Sequence, residues 1–184
     1  MKKPITFITG NIKKAELVMN FLEFPIKHKQ LDLFEIQSLD LDEIIRHKAK
    51  QAYEILKNPV LVDDASLVYT AFGRLPGPFI KSFIEEIGTK GLCRILNHYS
   101  KDRSAVAEVA LALYDGSSLK IFRSFCKGKI SAYPKGSGGL GYDPVFMPEG
   151  SKITWAEMNE QERSKTYCRN QALKKLKSYL QTNQ

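Results

Sequence analysis

The chain has 184 residues, of which 43% are hydrophobic and 26% charged, and a formal net charge of +8. That length suits one sizeable core and is short for two independent domains, so residues 1–184 are read as a single domain; no apolar run approaches the ~20 residues of a membrane span, and the start lacks the ~7–15-residue apolar stretch of a secretory signal. Cys93, Cys126 and Cys168 are odd in number and have no metal-ligand spacing, which points to a reducing, cytoplasmic setting, and the scattered His28, His47 and His98 exclude a zinc cluster.

In chain order, Met1-Lys2-Lys3-Pro4 enters a strand over 5–9, followed by a helix over 12–23. Alternation in Leu31-Asp32-Leu33-Phe34-Glu35-Ile36 predicts a strand around 31–36, ahead of a helix over 42–57. The apolar run Pro59-Val60-Leu61-Val62 reads as a buried strand over 59–63, closed by Asp63 and Asp64. A loop with Pro76-Gly77-Pro78 leads to a helix near 79–86, and Thr89 is placed to N-cap another reaching His98. Two long strands, about 103–114 and 119–131, flank Asp115-Gly116, a hairpin signal. A glycine loop over 136–141 precedes a short strand near 144–147. Asn159-Glu160-Gln161-Glu162 has the form of a capping box opening a last helix over 160–180. Alternating elements followed by a hairpin predict an α/β fold with a mixed sheet and flanking helices. There is no internal repeat or low-complexity segment.

Four places carry chemistry. Asp63 and Asp64 suit a metal-assisted site for a phosphorylated ligand, although two acids beside a strand equally cap a helix or pair with a lysine. Like charges this close raise one pKa, which suits a general base. Thr9-Gly10-Asn11 stands where a strand meets a helix, whose free N–H groups and dipole attract phosphate, with Lys14 one turn in; read alone, it is also an ordinary turn capped by Asn11. Lys81 follows the Pro76-Gly77-Pro78 turn. The C-terminal excess of Arg163, Lys165, Arg169, Lys174, Lys175 and Lys177 attracts polyanions; with no zinc finger and no RNP-type aromatic strand, specific nucleic-acid binding gains no support.

These blocks, with Gly138-Gly139-Leu140-Gly141-Tyr142-Asp143, Trp155-Ala156-Glu157-Met158 and Tyr167-Cys168-Arg169-Asn170, resemble in order and spacing the inosine triphosphate pyrophosphatase family over Ile5 to about Leu180. The resemblance implies an elongated, two-lobed α/β fold with the site in a cleft between lobes. It implies hydrolysis of the purine nucleoside triphosphates ITP, dITP and XTP to monophosphate and pyrophosphate, Mg2+ as cofactor, a small-molecule partner and a homodimer. Asp64 matches the catalytic carboxylate, and Glu35, Asp63 and Asp64 the metal ligands; Thr9, Asn11, Lys14, Lys48 and Lys81 match triphosphate-binding positions. Leu140, Gly141, Tyr142, Asp143, Arg163, Cys168 and Arg169 match base-recognition positions, where Asp143 either anchors the loop or meets the base edge and Arg169 faces the purine O6. The chain departs from the pattern at Phe34, where proline is usual before the glutamate, at Leu140, usually aromatic, at Cys168, usually histidine, and at Arg163, usually lysine. Two alternatives follow: a pyrophosphatase with a shifted base preference, or a non-catalytic nucleotide- or RNA-binding paralogue.

Overall fold

Ile5–Ile8 form β1, and all four residues are buried. A strand buried on both faces reads as a continuous apolar run, the mark of a central parallel strand. In the computed structural model, which describes residues 4–182, β1 has parallel neighbours on both sides. β2 (Ile26–Lys29) pairs with it from Ile5↔Ile26 to Ile8↔Lys29, and β3 (Val60–Tyr69) from Thr6↔Val60 to Ile8↔Val62. The Met1–Lys3 lead-in lies outside the described residues.

Two amphipathic helices connect these strands. α1 (Ile12–Leu22) buries Ala15, Val18 and Leu22, and α2 (Leu41–Leu56) buries Leu41, Ile44, Ile45, Ala49 and Ala52. Asn11 and Asp40 cap them, each accepting a backbone N–H of the first turn, a contact worth ~1 kcal/mol. Beyond β3 come a 3-10 turn (Thr70–Phe72), β4 (Pro76–Gly77), α3 (Ile80–Tyr99), the hairpin strands β5 (Ser104–Tyr114) and β6 (Leu119–Ile130), β7 (Phe146–Pro148), α4 (Glu160–Thr166) and α5 (Cys168–Thr182). Among the described residues the seven strands make one mixed sheet in the order β2-β1-β3-β5-β6-β7, with β4 antiparallel to β3. No helix among them is long and apolar enough to cross a membrane.

The chain divides into two compact units. The first comprises Met1–Asp64, Val109–Ser124 and Arg169–Gln184, and the second Ala65–Glu108 and Phe125–Cys168. The first has a core of Ile8, Leu41, Ile45, Ala49, Val60 and Val62 with Ala110 and Ala112, and Leu31 and Leu33 pack against it. The second is centred on Trp155, fully buried, with Phe146 at 4.3 Å and Tyr167 at 5.0 Å between ring centroids. Trp155 Nε1 donates to Thr166 Oγ1 at 3.0 Å, so the one polar atom of that ring is satisfied inside the core.

Several elements differ from the sequence expectation. Residues 31–36 are not a strand: Leu31 and Leu33 produce the alternation by packing on the core, while the ladder partner of β1 lies earlier, at Ile26–Lys29. The strand expected over 59–63 runs on to Tyr69, because Leu67 and Val68 pair with Gly77 and Pro76. Asp63 and Asp64 therefore stand inside a strand, not at its end. Two adjacent aspartates are poor strand formers, and tertiary pairing overrides them. By contrast, the two helices expected near 79–86 and from Thr89 to His98 both form: α3 is two helical stretches separated by a kink at Gly88, which lies at φ 63°, a conformation open to glycine. The strand near 144–147 is Phe146–Pro148. The capping box at Asn159 and Glu162 forms in full, but the helix it opens ends at Thr166, and α5 restarts after Tyr167 in extended geometry.

Candidate active site

Successive side chains of a strand point to opposite faces, so the two adjacent aspartates of β3 serve different clusters. Both clusters lie in the first unit. Asp63 takes Lys14 Nζ on Oδ1 at 3.2 Å and Arg169 Nη1 on Oδ2. Asp64 Oδ2 takes Lys48 Nζ at 3.0 Å, and the same ammonium reaches Glu35 Oε1 at 2.9 Å. The side chain of Asp63 is 2% exposed, whereas that of Glu35 is 52% exposed. Lys14 reaches Asp63 from the first turn of α1 and Arg169 from the first turn of α5, while Lys48 stands mid-way along α2. Lys14, which follows an apparently open loop in the sequence, is half-buried by this contact.

The electrostatics of the two clusters are opposite. Two cations around the single carboxylate of Asp63 leave that group an excess of positive charge. One cation between Glu35 and Asp64 leaves the other an excess of negative charge. The first suits an anion such as phosphate and the second a metal cation. Burial alone would raise the Asp63 pKa, but the charges of Lys14 and Arg169 outweigh it and hold the carboxyl down at about 2. The expectation that the adjacent aspartates raise a pKa by repulsion thus does not describe Asp63; the alternating faces of β3 give each acid its own cation. Burial, with Arg169 close by, pulls the Lys14 ammonium below its usual range despite Asp63. Burial also opposes the charge on Lys48, but Asp64 and Glu35 prevail and push its pKa up.

The turn ahead of α1 is held by its own polar groups. Thr9 Oγ1 accepts the Asn11 N–H at 3.1 Å, and Asn11 Oδ1 accepts the Lys14 N–H at 3.1 Å. His28 Nε2 lies 2.8 Å from the Thr9 carbonyl, so that nitrogen carries the proton and donates. His28 was not among the site residues expected from sequence. Only the parallel register of β1 and β2 brings it to this turn, and register is not legible from an isolated histidine.

The remaining expected residues belong to the second unit, Arg169 excepted. Lys81 is exposed on the first turn of α3. Asp143, almost fully buried, accepts the Leu140 N–H at 2.7 Å and the Tyr167 hydroxyl at 2.9 Å, both on Oδ2, which fastens the glycine loop. Gly139 is at φ 81°, and a Cβ there would come 2.1 Å from Asp143 Oδ2, so a side chain at 139 is incompatible with this fastening. Leu140 is half-buried and Gly141 exposed. Tyr142 is 8% exposed, with its ring 6.4 Å from that of Trp155 and its hydroxyl donating to the Ser66 carbonyl at 3.4 Å. Its packing leaves little ring face open for a base. Arg163 lies over the Tyr167 ring at 5.6 Å, and Cys168 is buried as the first residue of α5. Arg169, expected with this set, has its guanidinium engaged by Asp63.

Comparison with known proteins identifies the family. The Ham1 family profile matches residues 5–179. An inosine triphosphate pyrophosphatase 2 of Trypanosoma cruzi is 40% identical over 178 residues, covering 95% of this chain and 91% of the relative. A dITP/XTP pyrophosphatase of Saccharolobus solfataricus is 39% identical over 171 residues, covering 93% of this chain and 88% of that one. A solved HAM1 protein from Coxiella burnetii superposes with a TM-score of 0.86 at 26% identity, over 99% of this chain and 100% of its own. The profile spans all seven strands, and this chain belongs to the Ham1 family.

Proposed function

We propose that this protein hydrolyses purine nucleoside triphosphates of the ITP, dITP and XTP type to nucleoside monophosphate and pyrophosphate. The observation that carries the reading is the pair of oppositely biased clusters on adjacent residues of β3, Lys14–Asp63–Arg169 and Lys48 between Glu35 and Asp64. The names of the relatives favour the same substrate class.

In this reading Asp64 orients a water and accepts its proton as the water oxygen attacks the α-phosphorus. The bond from that phosphorus to the oxygen bridging to the β-phosphorus breaks, and pyrophosphate leaves. Lys14, Lys48 and Lys81 neutralise the triphosphate, and the Thr9–Asn11 turn presents the N-terminus of α1 to it. Magnesium is the proposed cofactor. Among the described residues no group of three or more His, Cys, Asp or Glu is placed to hold a metal. Two carboxylates converging on one ammonium, Glu35 and Asp64, fit an ion that takes its other ligands from water and phosphate oxygens. When bound there it would offset the charge of the phosphates and of the leaving pyrophosphate. The proposal extends to a cytoplasmic homodimer, which light scattering on the purified protein tests.

The test is a panel of nucleoside triphosphates with magnesium, scored for pyrophosphate against orthophosphate. Pyrophosphate from ITP and XTP is the expected product; stepwise orthophosphate would overturn the reading. A shifted base preference is the second reading. It is favoured by Leu140 in the loop and by the packed positions of Tyr142 and Cys168, and the same panel ranks the bases.

A further inference from the structure

Asp63 is the most completely committed ionisable group of the first unit. Its two carboxylate oxygens go to different cations from different helices, Lys14 of α1 on Oδ1 and Arg169 of α5 on Oδ2. Its side chain is 2% exposed and that of Arg169 6% exposed. A metal ligand in a hydrolytic site needs an oxygen that water and substrate phosphate can share. Asp64, one residue on, is more exposed and faces Lys48 and Glu35 instead. A buried carboxylate satisfied by two cations does another job: it fixes where those cations are. Lys14 stands one turn past the Thr9–Asn11 turn, and Arg169 opens α5. Removing the acid would take away the carboxylate that both cations share and leave a guanidinium and an ammonium that repel each other.

We infer that Asp63 is a positioning residue, not a magnesium ligand: it locks the phosphate-directed lysine of α1 and the arginine of α5 into one buried unit, so that grip on the triphosphate and selection of the purine are set together. The inference rests on the pyrophosphatase reading for its substrate, but not for its geometry. Lys14 and Arg169 were each expected to meet the ligand separately; the structure makes them depend on one carboxylate.

The experiment compares wild type with Asp63→Asn, and with Asp63→Asn combined with Arg169→Gln, which removes one of the two cations that meet Asp63 in case the single variant folds poorly. Calorimetry with magnesium alone and with inosine monophosphate is run beside steady-state rates on ITP and ATP. The expected result is magnesium affinity within twofold of wild type in both variants, inosine monophosphate binding at least tenfold weaker, KM for ITP at least tenfold higher, and a smaller ITP-over-ATP ratio. Asp63→Glu, which keeps the charge, should recover much of the ratio. A tenfold or larger loss of magnesium affinity in either variant makes Asp63 a ligand and overturns the inference. Unchanged nucleotide binding and selectivity in folded variants overturn it equally. If wild type releases no pyrophosphate from any triphosphate, the pyrophosphatase reading fails, while the binding comparison between wild type and variants still decides the role of Asp63.

Discussion

The charged clusters of the first unit and the glycine loop of the second are built on different physics. Around Asp63 and Asp64 each contact joins full charges, and placement follows from which cation each face of β3 meets. Around residues 136–143 one buried carboxylate, Asp143, collects a backbone N–H and a phenol, and aromatic packing on Trp155 does the rest. The first kind of site tolerates little change of charge and much change of shape. The second tolerates little change of shape. Substitutions that separate these two sensitivities test the comparison.

The largest effect is expected at Asp64. Asp64→Asn keeps the size of the side chain but removes the proposed base and a charged ligand of the proposed metal, so kcat should fall ~10²-fold or more. Asp64 is more exposed than Asp63, so the thermal midpoint should stay near that of wild type. Near-full activity at saturating magnesium would reduce Asp64 to a partner of Lys48.

Asp143→Ala should act the other way, on shape before rate. It strips the acceptor from Leu140 N–H and from the Tyr167 hydroxyl, and bonds to a charged acceptor are worth ~1.5–3 kcal/mol each. Denaturant unfolding should show a loss of that order, with a higher KM and a kcat changed far less than in Asp64→Asn. Tyr167→Phe, which removes only one of the two bonds, should fall between wild type and Asp143→Ala.

The two regions also differed in how far they could be read from sequence. Asp63, Asp64 and Lys14 stood out because acids and a lysine near strand ends announce a charged site, whereas Glu35 and Lys48 came from the family resemblance alone. Their pairing was not legible: it depends on β3 continuing through two aspartates to Tyr69, against the propensity of those residues, and on α5 restarting after Tyr167 so that Arg169 meets Asp63. One parallel neighbour of β1 was misplaced for a related reason. Leu31 and Leu33 alternate because they pack on the core, and alternation alone does not tell a packed extended segment from a hydrogen-bonded strand. The hairpin turn at Asp115-Gly116, in the first unit, and the capping box at Asn159, in the second, were legible, since turn and cap chemistry is local. The burial of Tyr142 was not, because it requires Trp155 and Ser66, distant in the chain, to be its neighbours.

A pH series tests the charged region through the protonation of Asp63. The Asp63 carboxyl is held at about 2, below its ordinary 3.8. A group with a depressed folded pKa stabilises the protein above its unfolded pKa and loses that contribution as pH falls through the folded one. The Asp63 contribution should thus be whole above about pH 4 and shrink toward about pH 2. Urea midpoints across that window should fall more steeply for wild type than for the Asp63→Asn, Arg169→Gln variant. Parallel curves would mean that the buried triad adds nothing to folding.

The smallest effect is expected at Leu140. Leu140 is half-buried in the loop that Asp143 fastens, and Tyr142, the nearby aromatic, is packed against Trp155. Leu140→Phe would give the loop a stacking face, worth ~1–3 kcal/mol per base in nucleic-acid complexes. On a partly buried loop the gain in kcat/KM for ITP over ATP should be near the lower end, about threefold to tenfold. Cys168→His, the companion change suggested by sequence, is a different matter. Cys168 is buried at the head of α5, and an imidazole there overpacks the site at a cost of ~1–3 kcal/mol. The single variant should therefore sharpen selectivity with an unchanged melting temperature, and the double variant should melt earlier without selecting better. If the double variant alone sharpens selection, the position of Cys168 opens in the presence of nucleotide, and the shape of this region is less fixed than its packing indicates.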